Sequence, residues 1–600
     1  MKKYIILLIA AILAFTSCDL TRLPLDKEAP ETYFRTEADL ELFSNSFYNN
    51  LLDKSMFKHQ SDQYIKDDLS AVLKGGQNRI IPNSGGGWSW GDLRKLNTML
   101  KYIDNCEDEA ARDKYTGVCK FFRAFIYAEK IMLFGDVPYV DVELGSADPQ
   151  LYAPRDSREY VMTKIIEDID DAIEKLPATA PNPYRVNKWT ALALKARFCL
   201  FEGTFRKYHA GAEYLQTLPA DAKDYKYYLD QAADAAKQII DEGPYVLYST
   251  GKPNQDYRDL FAMDNATSHK EYILAIDFDN SIPIRHSATG YATMASQGRP
   301  GVTKKIIDSY LMADGTPFTD KAGWETMQFK EQVADRDPRL GQSIRLPGYI
   351  RLGDTRVESP RVAMSVTGYH TIKFVQDYST GSHLQTSMSY NDLPIFRLGE
   401  VYLNYAEALA ENDKLTQEDL NISVNKLRDR VGMPKLDMAT ANANPDPYLS
   451  SPEYGYVNVT GTNKGVILEI RRERNIELAQ EGEFRYFDLM RWKEGKCIEQ
   501  DMHGLYVPGV GMYDLSGDGV ADLVIWKDTK PAGIPASADV FELDREIFLS
   551  DGESGYLSPH RDIVRVFDES RDYLYPIPIN ERSLNNNLTQ NPNWNDGLNF

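Results

Sequence analysis

Three tryptophans stand where an indole has little to pack against. Trp88 and Trp90 lie in Gly85-Gly86-Gly87-Trp88-Ser89-Trp90-Gly91, and Trp324 follows Asp314-Gly315 in another polar loop. A glycine-rich loop lends few side chains to a core, so an indole carried on it is well placed to stack on the apolar C–H face of a sugar ring. The competing reading is that one or more of these rings simply covers a helix end. A second constellation, Asp514-Leu515-Ser516-Gly517-Asp518-Gly519-Val520-Ala521-Asp522, sets oxygen-bearing side chains at alternate positions. Asp514, Ser516, Asp518 and Asp522 take positions one, three, five and nine of a calcium loop, and Gly519 takes the sixth. The twelfth position is Ile525 in place of the bidentate Glu, so an Asp/Gly-rich hairpin turn competes with a structural calcium site. No other cofactor is called for.

Motifs of catalysis are missing. The sequence holds no His-Glu-x-x-His, no phosphate-binding glycine loop with Lys-Ser/Thr and no Gly-x-Ser-x-Gly, and its 8 His are scattered. A glycosidase, however, needs only two carboxylates about 5–10 Å apart. With 89 Asp and Glu in the chain, a surface glycoside hydrolase stays open as the rival to a non-catalytic binding protein.

The first residues read as an address. Lys2 and Lys3 precede an apolar stretch from Tyr4 to Phe15, too short to span a bilayer, and Thr16-Ser17-Cys18 follows. The Cys at this place resembles a bacterial lipobox, although Phe15 stands where Leu is usual. That resemblance implies cleavage before Cys18 and lipidation of Cys18, with several acyl chains holding far better than one. The expected organisation is a signal peptide over 1–17, a lipidated Cys and extended tether over 18–35, and one α-helical body over 36–600. The body divides into an N-terminal part to about 243 and a loop-rich remainder from about 244. A formal net charge of −21 repels phosphate backbones and argues against nucleic acid as a partner. The 37 Tyr, 24 Phe and 7 Trp suit either sugar binding or a well-packed helical core. Cys106, Cys119 and Cys199 lack metal-ligand spacing; with Cys497 they read as buried thiols, and a disulfide is left open in an exported chain.

The elements that must position these residues are mainly helices. Leu40, Phe43, Phe47 and Leu51 recur at helical spacing, as do Phe121, Phe125, Ala128 and Met132 before a stop at Gly135. Asp156 with Glu159 reads as a capping box, and Asn187 as the cap of the next helix, which Gly203 is expected to follow. Gly243-Pro244 marks another helix end. Four candidate pairs result: 115–134 with 157–176, 188–203 with 227–242, 397–411 with 418–431, and 467–481 with 484–493. Small residues on their faces suggest tetratricopeptide-like packing, in which each pair buries its face against the next. The connections over 244–396 and 433–466 read as loops, short helices and β-hairpins, the kind of segment that carries binding on a rigid scaffold.

Along these segments the chain resembles the SusD/RagB family. Phe121-Phe122-Arg123-Ala124-Phe125, Phe134-Gly135-Asp136-Val137-Pro138-Tyr139 and Asn187-Lys188-Trp189-Thr190-Ala191 are similar to its N-terminal blocks. Ala313-Asp314-Gly315-Thr316-Pro317 and Arg336-Asp337-Pro338-Arg339-Leu340 are similar to its middle blocks. Pro394-Ile395-Phe396-Arg397-Leu398-Gly399-Glu400, Arg472-Glu473-Arg474, Arg485-Tyr486-Phe487-Asp488-Leu489 and Tyr575-Pro576-Ile577-Pro578 follow in the family's order. The resemblance implies a mainly α body with four tetratricopeptide-like pairs, lipid-anchored in the outer membrane and facing outward. It also implies a partner, a SusC-like TonB-dependent transporter, to which a captured oligosaccharide is delivered, or a peptide in a RagB-like lid. Arg397 with Glu400 and Arg474 with Glu477 sit three apart on helices and are expected to set helix register, not to catalyse.

Overall fold

The computed structural model describes residues 30–179, 182–378 and 385–600; Cys18 and the signal segment lie outside them. Helix α1 (Glu37–Leu51) opens on a reciprocal cap, in which the Thr36 hydroxyl accepts from Asp39 N–H while the Asp39 carboxylate accepts from Thr36 N–H. Helix α2 (Gly91–Tyr102) follows the glycine-rich loop. Helix α3 (Glu109–Phe134) stops at Gly135, whose φ of 72° any residue with a side chain tolerates poorly. Helix α4 (Arg158–Lys175) is capped by Ser157. The Asp156–Glu159 capping box is therefore not formed: the Asp156 carboxylate accepts from Tyr139 N–H, and Glu159 binds Arg206 and Lys223 N–H. Helix α5 (Lys188–Tyr208) has the expected Asn187 cap, closed by Thr190. It runs past Gly203, which is an interior residue instead of a terminator. A Cβ there would lie 2.8 Å from Leu229 of helix α6 (Tyr225–Glu242), so the glycine lets the two helices close.

The helices stack in sequence. α3 packs on α1 and α4, α4 on α5, and α5 on α6. Helix α7 (Leu398–Glu411) lies against α5 and α6, carrying the stack from the first half of the chain into the second. Its sequence partner is broken into α8 (Gln417–Asn421) and α9 (Val424–Arg430) at Ser423. Helix α10 (Lys464–Glu477) packs on α7, whereas α11 (Phe484–Arg491) packs on α5. The fourth expected pair thus serves two different neighbours, and Gln480 at φ 64° turns the chain between them. A last short helix, α12 (Ile579–Leu584), returns to the N-terminal part.

Strands are short. β1 (Tyr64–Ile65) pairs with β3 (Gly301–Val302), β2 (Tyr272–Ile276) with β4 (Leu393–Arg397), and β5 (Tyr506–Val507) with β9 (Gly555–Tyr556), all antiparallel and all between segments distant in sequence. Among the described strands, only β6 (Gly511–Tyr513) and β7 (Leu523–Trp526) form a hairpin, and β8 (Asp539–Glu542) adds to it in parallel. The expected set of hairpins is thereby mostly replaced by long-range ties.

Buried charge welds the halves together. Arg397 does not pair with Glu400; it reaches Glu477 at 2.8 Å, Glu481 at 2.8 Å and Glu271 at 3.1 Å. Glu477 also receives Arg430 at 2.6 Å and Arg339 at 3.2 Å, while Arg474 turns away from it to Asp488 at 2.7 Å. Glu400 takes Arg197 at 2.6 Å instead. Cys106, Cys119, Cys199 and Cys497 are buried free thiols.

Candidate functional site

Gly85, Gly86 and Gly87 all adopt positive φ, at 76°, 58° and 91°, which turns the chain sharply into α2. Gly87 lies so close to α3 that a Cβ would sit 2.9 Å from Leu133, and the Lys130 ammonium donates to its carbonyl. This turn sets Trp88 and Trp90 on one wall of a cleft of about 470 Å³. The opposite walls are the segment Pro138–Ala153 and α12 with Leu588. Trp88 is only 6% exposed and meets Trp90 and Phe134 edge-on at 5.3 and 4.9 Å. Trp90 is half-buried, tilted against Tyr127 at 5.9 Å, with the Lys130 ammonium 5.5 Å from its ring. Burial lowers the Lys130 pKa, and neighbouring Glu129 opposes that.

The rim of the cleft is unusually apolar for a surface. Tyr152 is 56% exposed, and Val142, Leu151 and Leu584 stand out beside it. Polar groups are few. Asn97 is committed to the structure, donating to Val140 O and Val142 O at 3.1 Å and accepting from Arg123. Arg94 and Gln150 are exposed to the cleft, and Glu581 is the one carboxylate among its described lining residues. An apolar, aromatic concavity with a small set of donors and acceptors suits a ring stacked on one face and hydrogen-bonded at its edges.

Trp324 is placed elsewhere. It begins a 3₁₀ turn, lies edge-on to Tyr448 at 5.3 Å, carries the Lys304 ammonium at 4.9 Å, and lines no part of the tryptophan cleft. One platform of three tryptophans is therefore not formed. Tyr152 was not singled out by sequence because one exposed Tyr among 37 carries no periodic or motif signal. Leu584 and Leu588 arrive from the far end of the chain.

Asp514, Ser516, Asp518 and Asp522 lie on the turn between β6 and β7. The Asp514 carboxylate accepts from the N–H groups of Gly517, Asp518 and Gly519, Asp518 accepts from Val520 N–H, and Asp522 from Ser516 N–H at 2.7 Å. The carboxylates thus close the hairpin through their own backbone. Among the described residues no group of three or more His, Cys, Asp or Glu side chains is arranged to hold a metal ion. Chelation is expected to leave the melting temperature unchanged, whereas Asp514→Ala lowers it slightly through the lost turn bonds. A drop on adding chelator that Asp514→Ala abolishes would instead establish a structural calcium site on this turn.

Comparison with known proteins matches this chain over almost its whole length. A family model described as the SusD family matches residues 264–594, and one described as starch-binding associating with outer membrane matches residues 89–200. A SusD-like protein of Formosa agariphila is 25% identical, across 98% of this chain and 99% of its own. Among solved structures, a SusD-like carbohydrate binding protein of Bacteroides fragilis is similar at a TM-score of 0.67 and 22% identity, over 93% of this chain and 100% of its own. A second SusD-like protein of Bacteroides fragilis has a TM-score of 0.67 at 21% identity, over 95% and 99%.

Proposed function

This chain belongs to the SusD family, and from that premise we propose that it is a non-catalytic binding protein for an oligosaccharide, captured at the cleft of Trp90 and Tyr152. The observation that carries the proposal is the cleft itself. It offers aromatic and apolar walls, a few edge donors, and one carboxylate where hydrolysis of a glycosidic bond needs two. The carbohydrate-binding description of the Bacteroides fragilis neighbour points the same way. Calorimetry against a panel of oligosaccharides is expected to give binding to one glycan class, with no cleavage products after long incubation. Reproducible products from the pure protein would replace this reading with the hydrolase, and binding of peptides alone would replace it with a peptide-capturing lid.

We further propose that Cys18 is the lipid anchor and that the protein serves a SusC-like TonB-dependent transporter at the outer membrane. The signal-like start of the sequence and the outer-membrane description of the matched family model support this. No helix among the described residues is long and apolar enough to cross a membrane. Mild detergent extraction of wild-type membranes is expected to recover the protein together with a large β-barrel. Cys18→Ala should move it to the soluble fraction and abolish lipid labelling. Normal membrane retention of Cys18→Ala would refute the anchor, and repeated recovery of the wild type alone would refute the partner.

A further inference from the structure

A second cleft, of about 250 Å³, opens between α3, α5 and the start of α11 and shares no lining residue with the tryptophan cleft. Its walls include Met56, Phe125, Met132, Phe201 and Phe487. Glu129 of α3 stands among these apolar groups, exposed to the cleft, and makes no hydrogen bond or ion pair with any described residue. Every cation near it is committed. Arg197 grips Glu400 at 2.6 and 2.7 Å and lies on the rings of Phe396 and Phe484. Arg474 and Arg491 are held by Asp488 and Glu407. Lys130, next in sequence, is drawn to Gly87 and Trp90 on the other cleft. His59 sits between Asp53 at 2.5 Å and Glu483 at 3.3 Å. Burial would lower its pKa, but the two carboxylates push it up to about 10, so that trio carries one net negative charge at neutral pH. The charge left uncompensated around the cleft is negative, and Glu129 is its unpartnered member.

We propose that this cleft binds a compact organic cation, an apolar body bearing one amine that pairs with Glu129. The volume falls below the usual range of small-molecule sites and suits a group about the size of one side chain. The apolar walls take the body, and the carboxylate takes the ammonium as a charge-assisted hydrogen bond. Glu129 is already poised for such a partner. The protein packed around it pushes its carboxyl pKa up to about 7, which the Glu483 and Asp53 carboxylates reinforce and Lys130 and Arg197 oppose. An incoming ammonium relieves that repulsion.

The test is calorimetry at about pH 8, above the carboxyl and below the amine in pKa, with phenethylamine, its neutral analogue 2-phenylethanol and the anion 3-phenylpropionate. The amine is expected to bind about tenfold tighter than the alcohol, and the anion weakest. Glu129→Gln should bring the amine down to the affinity of the alcohol while leaving the alcohol unchanged, which also shows that the cleft is still folded. A blocked lysine dipeptide in the same assay separates a free amine from one carried on a peptide; Glu129-dependent binding of either probe supports the site. Equal affinity for amine and alcohol, an amine affinity untouched by Glu129→Gln, or no binding of any probe at millimolar concentration overturns the proposal. Because the two clefts have no residue in common, loss of glycan binding in Trp90 or Tyr152 variants leaves this result unaffected.

Discussion

Glu477→Gln is expected to destabilise the protein by about 3–5 kcal/mol, because it strips the counter-charge from buried arginines without removing them. Glu477 is fully buried and holds Arg397, Arg430 and Arg339 at once. The amide keeps the shape and one acceptor but leaves Glu271, Glu473, Glu481 and Asp337 as the described carboxylates that face these guanidinium groups. Thermal melting of variant and wild type measures the loss. Glu167→Gln, which breaks an exposed Lys164–Glu167 pair, is the control and should change little. A melting temperature for Glu477→Gln equal to the control would show that the network relaxes freely. The same network sets an acid limit. Burial would raise the carboxyl of Glu477, but Arg430, Arg397 and Arg339 reverse this and hold it well below the usual range. Glu407, between Arg491, Arg474 and Arg471, is likewise brought down to about 2. A depressed folded pKa gives stability that is present above the unfolded value near 4.3 and lost as pH falls toward 2. The contribution of these two carboxylates should therefore be constant above about pH 5 and be lost below it, so the acid-side fall in melting temperature should be shallower in Glu477→Gln. Glu271 opposes part of this, since burial raises its pKa and Glu477 adds to the rise.

In the tryptophan cleft, three single variants are expected to behave differently although all three residues line the same cleft. Trp88→Ala should cost about 3–5 kcal/mol of stability, because the ring is 6% exposed and wedged against Trp90 and Phe134. Tyr152→Ala should leave melting near wild type and weaken glycan binding by about 1–3 kcal/mol, by analogy with bases stacked on aromatic side chains. Trp90→Ala should do some of both, since its ring is shared between the cleft and Tyr127. A paired Trp88 and Trp90 replacement with normal melting, the natural expectation for loop tryptophans, is thus not expected here. Parallel calorimetry and melting on the three proteins decide the matter. Unchanged affinity in both Tyr152→Ala and Trp90→Ala would remove the cleft from glycan binding while leaving the family untouched.

What the sequence determined by itself was mostly local. The Asn187 cap, the stop at Gly135 and the stripe through α1 were legible because cap hydrogen bonds, φ preferences and helical periodicity each act within a few residues. The ordered blocks pointed to the family through their residues and their order along the chain, and three of those residues, Arg397, Arg339 and Glu473, belong to one buried network joined through Glu477. Their roles were not legible. Arg397 pairs with Glu477, eighty positions away, and not with Glu400 one helical turn away, because the packing of α7 on α10 decides which charges share a low-dielectric interior. Gly203 stood where a helix end was expected, and only the approach of Leu229 shows why it is glycine inside a helix. Trp88 was chosen for its glycine-rich loop, yet three positive-φ glycines fold that loop onto Phe134 and bury the ring. The cleft beside it needs α12, drawn from the opposite end of the chain. Tertiary structure alone decided these points, since burial, cavities and ion-pair partners belong to surfaces that exist only after distant segments have met.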